Sequence, residues 1–276
     1  PHTHQQPKSP FDRFTVEIIV PVNHIFAKNM KSYVVLATSL LGLILISEGC
    51  IQSAKGEDPV KPPLVQEIES PLRFIQNKGQ WDDRILFKAK LNGGEVLFAK
   101  DRIIWHFFEF PNFEDHDHPY HYEHNDRKGH VVYTLFENSS RGVTLDGQVK
   151  SQTYHNYYLG NDSSYWASNV PLFSKITYHD LYAGIDLRIY GHGDQLKYDF
   201  IVNPGADPAS VRLIYEGTDE ISLEKGDLKW KTSVRNIKEG APYSYQYKGD
   251  QKVLVNSNYV LRKNRLSFRF PKGYDS

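Results

Sequence analysis

Ile185-Asp186-Leu187-Arg188-Ile189-Tyr190-Gly191-His192-Gly193-Asp194-Gln195-Leu196-Lys197-Tyr198-Asp199-Phe200-Ile201-Val202 decides the fold class. Apolar and polar residues alternate on either side of a glycine-rich turn, which is the period of a half-buried strand and not of a helix. With Gly191-His192-Gly193-Asp194 as the loop, Ile185, Leu187 and Ile189 share a face with Leu196, Tyr198, Phe200 and Val202. That face is expected to meet the core. The other face carries Asp186, Arg188, Tyr190, Gln195, Lys197 and Asp199, and the same loop sets Asp186 against Asp199 and Arg188 against Lys197. A carboxylate pair of this kind suits a hard cation such as Ca²⁺. The expectation is instead a solvated lattice of diagonal ion pairs, each contributing only ~0–1 kcal/mol.

Outward from this hairpin the same pattern repeats. Ile85, Phe87, Ala89 and Leu91 fall on one strand face, Asn92-Gly93-Gly94 makes a turn, and Val96 and Phe98 return. Further runs span 103–108, 131–136, 211–215, 253–261 and 266–270, separated by turn residues. The predicted class is all-β, an antiparallel sandwich-like domain. The 18 Tyr, 15 Phe and 4 Trp among 276 residues agree with that, because aromatic side chains suit a pleated surface.

Lys plus Arg and Asp plus Glu number 33 each, so the chain has no net field to attract nucleic acid or an acidic membrane surface. The single cysteine, Cys50, excludes an intramolecular disulfide.

Residues 1–70 read as lying outside the fold. Met30-Lys31 followed by an apolar run over 34–46 has the layout of a secretory signal peptide over 30–49. The run is shorter than the ~18–20 residues of a spanning helix. Residues 1–29, with Asp12 and Glu17 and no targeting pattern, read as upstream mistranslation ahead of Met30. Ser47-Glu48-Gly49 satisfies a signal peptidase cutting before Cys50, which is then either the acyl acceptor of a lipoprotein or a cysteine that happens to follow an ordinary signal. Any membrane contact runs through that signal or lipid anchor. Residues 50–70, with Pro59, Pro62 and Pro63, read as a tether, and the β-rich domain as 71–276.

Three candidate sites stand out. Glu114 to His124 concentrates His116, His118, His121 and His124, which could ligate Zn²⁺. Pro119 interrupts any regular spacing there, so a polar loop is the expectation. Tyr154, Tyr157, Tyr158, Tyr165 and Trp166 form an aromatic cluster suited to stacking on sugars, with Tyr157, Tyr158 and Trp166 as the candidate glycan residues; filling the core or covering a sheet edge is the plainer role. Ser163, Ser164, His155 and His179 supply the parts of a hydrolytic triad without a Gly-x-Ser-x-Gly elbow or His-Glu-x-x-His motif. No catalytic residue and no cofactor is expected. Trp105 and His106 lie in an alternating strand, where a buried imidazole bonded to backbone is expected.

Phe74-Ile75-Gln76-Asn77-Lys78-Gly79-Gln80-Trp81, Tyr157-Tyr158-Leu159-Gly160-Asn161-Asp162, the stretch Tyr178 to Leu187, Leu196 to Val202 and Pro204-Gly205-Ala206-Asp207-Pro208 resemble one family in the family's order. That family is the N-terminal domain preceding SBBP-type β-propeller repeats in large secreted or surface proteins of Gram-negative bacteria. The similarity covers about residues 72–274. It implies an exported, β-rich accessory domain at the cell surface, in the outer membrane or outside the cell, associated with type IX secretion. Its implied partners are propeller repeats following Ser276 in the same polypeptide and the secretion machinery. It carries over no catalytic residues. The function expected is a non-catalytic structural or interaction module, with a glycan- or metal-binding envelope lipoprotein domain as the alternative and a hydrolase as a third.

Overall fold

The computed structural model describes residues 11–21, 70–109, 128–158, 160–193 and 195–275. The chain divides into two compact units, residues 1–24 with 69–276 and residues 25–68; the second lies outside the described residues. So do the signal segment 30–49, the tether up to residue 69, Cys50 and the His116 to His124 stretch.

The first strand, β1, is Phe11–Pro21. Then come β2 (Phe74–Gln76), β3 (Phe87–Leu91), β4 (Gly94–Phe98), β5 (Arg102–Phe108), β6 (Gly129–Phe136), β7 (Thr144–Tyr157) and β8 (Ala167–Tyr182). The hairpin β9 (Ile185–His192) and β10 (Gln195–Val202) leads to β11 (Arg212–Glu216). A small group follows, β12 (Glu220–Glu224), β13 (Asp227–Lys231) and β14 (Asn236–Glu239). The last strands are β15 (Tyr243–Lys248), β16 (Gln251–Val255), β17 (Asn258–Arg262) and β18 (Arg265–Arg269). Short 3-10 turns occupy Ser163–Tyr165 and Pro208–Ser210, and among the described residues no helix is long and apolar enough to cross a membrane.

The fold is all-β, antiparallel and sandwich-like. One 15-stranded sheet runs β16-β15-β1-β10-β9-β8-β2-β3-β4-β5-β6-β11-β18-β17, with β7 added beside β8, and β12-β13-β14 form a second sheet. The large sheet doubles over. Its terminal strands β16 and β17 are joined by Asn256-Ser257 alone, so the two ends of the order meet. Facing halves then pack ring against ring, Phe136 on Tyr178 at 5.2 Å and Phe200 on Phe268 at 5.7 Å. The Tyr178 and Tyr182 hydroxyls cross the core to donate to the carbonyls of Ala99 and Arg212 at 2.9 and 2.7 Å. Burial pushes the pKa of both phenols above the ordinary value.

The small sheet is pinned to the large one by Glu239, 1% exposed. Its carboxylate accepts from the Tyr198 hydroxyl (2.6 Å), the Tyr215 hydroxyl (2.9 Å) and the Trp230 indole N–H (2.9 Å). Burial raises the Glu239 pKa, the three donated bonds opposing it.

In the β9–β10 hairpin the faces are as expected: Ile185, Leu187, Ile189, Leu196, Tyr198, Phe200 and Val202 are all buried. The register is corrected by two residues. Gln195 pairs with His192 across a two-residue turn, with Gly193 at φ 58°, a left-handed conformation that glycine adopts freely. Arg188 therefore lies opposite Asp199, and Asp186 opposite Ile201. The anticipated Asp186 and Asp199 carboxylate pair does not form, and an ion pair directly across the strands replaces the diagonal lattice. Nor is it solvated throughout: the Asp199 side chain is 2% exposed, while that of Arg188 is 35% exposed.

A second correction concerns residues 11–21, which the sequence reading placed outside the fold. β1 lies between β10 and β15, antiparallel to both, with Phe14 and Val16 buried in the main core. Its alternation is that of a strand, but its partners stand far along the chain. The run 253–261 is likewise two strands, β16 and β17.

Candidate functional site

Among the described residues, the β7–β8 ribbon carries the most exposed aromatic group. β8 gains its length by changing neighbours: Lys175 to Tyr178 pair with β9, and Leu172 and Phe173 with β2. β7 pairs along it from Thr144–His179 to Tyr157–Ala167, most of its side chains exposed or half-buried. Gly147 lets the two strands approach, because a Cβ there would enter the Phe173 ring.

Beyond the ribbon's paired part, Asp162 closes the connecting turn. Its Oδ1 accepts from the backbone N–H of Ser164 at 2.9 Å and from the Ser164 hydroxyl at 2.6 Å. These bonds hold the Asp162 carboxyl below the ordinary value. Trp166 donates its indole N–H to the Gly160 carbonyl at 3.3 Å and meets Tyr158 edge to face at 5.8 Å. Tyr154, Tyr158, Tyr165 and Trp166 are 56, 56, 55 and 45% exposed. The expectation that most of this cluster fills the core or covers an edge is corrected: only Tyr157 turns inward. It packs on Trp81 at 5.5 Å, at the margin of a small core of Ile75, Ala167, Val170 and Leu172. The three candidate glycan residues thus divide, with Tyr158 and Trp166 together at the tip and Tyr157 beneath.

The parts of a triad are not brought together. Ser164 is spent on Asp162, and His155 Nδ1 lies 3.2 Å from the Tyr157 hydroxyl. His179, at the other end of the ribbon, has Asp146 at 3.2 Å and Asp186 at 3.9 Å. His106 is half-buried and lies 3.6 Å from the Glu95 carboxylate, correcting the buried, backbone-bonded imidazole; its neighbour Trp105 is buried and donates to Thr134 at 3.0 Å. Among the described residues, no three His, Cys, Asp or Glu side chains gather as a metal site. A hollow of ≈ 630 Å³ beside β5 contains Asp82 with Arg84 and Asp101 with Arg102, each pair at 2.6 Å.

The outer face of the large sheet carries a second group, which sequence reasoning missed. Tyr243, Tyr245 and Tyr247 of β15 stand in a row with ring centroids 5.8 and 5.7 Å apart, and Lys252 Nζ sits 3.6 Å from the Tyr245 centroid. Their Tyr-x-Tyr-x-Tyr period was the available signal. On the same face, Arg188 bonds Asp199 at 2.7 Å, the Tyr190 hydroxyl lies 3.3 Å from the same carboxylate, and Lys197 pairs with Glu17 of β1. Burial raises the Asp199 pKa, the bond from Arg188 opposing it.

Residues 74–276 match the family model described as a domain of unknown function (DUF7948). No curated protein and no solved structure gives a significant match to the chain.

Proposed function

The chain belongs to the DUF7948 family, and we propose that it is a non-catalytic extracellular structural and interaction module of a large secreted or cell-surface bacterial protein. Exposed aromatic rings at the tip of the β7–β8 ribbon carry this reading. Tyr158 and Trp166 leave large apolar faces in solvent on a turn fixed by its own hydrogen bonds, and Tyr and Trp so placed are the usual anchors of protein interfaces. The buried carboxyls with displaced acidity, Asp199 and Glu239, serve as pins between strands.

The resemblance to domains preceding SBBP-type repeats supports propeller repeats of the same polypeptide as the partner, while the Met30 to Gly49 segment supports export and Cys50 supports a lipid anchor. Isothermal titration of the full chain with a recombinant SBBP-type repeat array tests this. Expected is saturable binding, weakened about ten-fold by Tyr158→Ala with Trp166→Ala. Absence of binding, or binding indifferent to the double substitution, refutes it.

A second reading is that the tip stacks on a glycan, favoured by the open face that the edge-to-face Tyr158 and Trp166 pair leaves. A cell-wall or capsular polysaccharide should then raise the melting temperature by linkage and quench a fluorescence component missing from Trp166→Phe. Unchanged melting and emission across a polysaccharide panel would dismiss it.

A further inference from the structure

β1 reaches its place from far away. Between Pro21 and Ser70 the chain runs through residues 22–69, yet β1 is an internal strand. From Phe14 to Pro21 it pairs residue for residue with Val202 to Gln195 of β10. On its other side Phe14 to Glu17 pair with Gln246 to Tyr243 of β15. Among the described residues, the β15–β16 hairpin reaches β10 in the order of the sheet only through β1. Without β1, the facing edges of β10 and β15 would both present unpaired N–H and C=O groups, a condition that recruits another strand.

The slot selects by chemistry as well as by backbone. Its floor takes Phe14, which stacks on Tyr274 at 5.4 Å and meets Phe270 at 5.2 Å, and Val16, which is fully buried. Its roof takes a carboxylate, since Glu17 pairs with Lys197, which is buried and lies over the Tyr190 ring.

We propose that the gap between β10 and β15 is a strand-acceptor site, exchangeable with an extended segment of a partner polypeptide that carries an aromatic and a β-branched residue two apart, with an acidic residue following. Residues 14–17 are the chain's own occupant of that site. A segment presented to the slot at a higher effective concentration than β1 can displace it. A cut anywhere in 22–69 makes β1 a separate peptide, and the signal-peptidase cut proposed before Cys50 would be such a cut. The slot itself does not depend on that reading.

The test places a protease recognition sequence between Asp58 and Pro59 of the full chain, cleaves the folded protein, and adds a fluorescent synthetic peptide of residues 11–21. Expected is uptake of one peptide per chain, displacing the cleaved segment. A Glu17→Lys peptide should bind about ten-fold more weakly, and a Lys197→Glu domain should recover much of that loss. The peptide-borne substitutions Val16→Asp and Glu17→Lys leave the domain untouched, so weaker uptake cannot be a folding defect. Three outcomes would overturn the proposal. One is a cleaved domain with unchanged circular dichroism that takes up no peptide; another is a cleaved domain that aggregates and is not rescued by it. The third is exchange seen only as dimerisation of the uncut chain, which would make a second copy the occupant.

Discussion

The Tyr198 hydroxyl donates to Glu239 Oε2 at 2.6 Å and so ties the large sheet, through β10, to the small sheet, through β14. The Tyr215 hydroxyl and the Trp230 indole N–H both donate to its other oxygen, Oε1. A buried carboxylate surrounded by neutral donors joins the sheets only while all three bonds are made.

Glu239→Ala strands three buried donors at once. We expect a loss of stability on the order of 3 kcal/mol, given ~1–3 kcal/mol for each unsatisfied buried group and partial relaxation. Urea unfolding measures it. A loss under about 0.5 kcal/mol, the range of ordinary surface changes, would show that the pin is dispensable.

The same group sets a pH dependence. Because burial raises its pKa above the ordinary 4.5, the folded chain keeps the Glu239 proton where the unfolded chain has lost it. Stability from this group is complete below pH 4.5 and is lost as pH rises from there to the raised folded value. Glu239→Gln does not titrate. The wild-type minus Gln difference in unfolding free energy should therefore fall with rising pH across that window and be level above it; a difference flat from acid to alkaline pH contradicts the assignment.

Arg188→Met leaves Asp199 buried without its cation. A cost of about 2 kcal/mol is expected, below the ~3–5 kcal/mol of a fully buried pair because Arg188 is partly solvated. Acidification should shrink the cost as Asp199 takes up a proton, and adding Asp199→Asn should recover part of it at neutral pH. A double variant as unstable as the sum of the two singles would mean that the groups are not coupled.

At the ribbon tip the expectation reverses. Tyr158→Ala with Trp166→Ala should change stability by no more than ~0.5 kcal/mol, because both side chains are exposed and neither belongs to a buried core. Trp81→Ala, beneath them on Tyr157, should lower the melting temperature clearly. Equal effects by differential scanning fluorimetry would place the tip in the fold and not on a free surface.

Where one face is buried and the other wet, sequence reasoning reached the strand and its face, as at Ile185 to Val202 and Phe87 to Phe98. It missed the register of β9 and β10 because turn length, not alternation, sets which residues oppose, and a two-residue turn moves Arg188 onto Asp199. β8 hid for another reason: Val170, Pro171 and Leu172 are buried in succession, erasing the period of two. β7 hid because it is wet on both faces. β1 has strand chemistry, but no local pattern announces partners at Gln195 to Val202 and Tyr243 to Lys248. The aromatic cluster was legible as residues and illegible as a surface, since exposure depends on the turn that Asp162 and Gly160 make around Trp166.

The placement of β1 also bears on mechanics. Phe14, near its first residue, is clasped by Tyr274, while Pro21 at its far end lies against Gln195. A load applied between Tyr274 and the chain beyond Pro21 runs lengthwise along the strand, so both ladders are stretched in shear together and cannot be peeled one bond at a time. Rupture would then be slow under tension, since forced unfolding follows the unfolding rate and not the equilibrium stability.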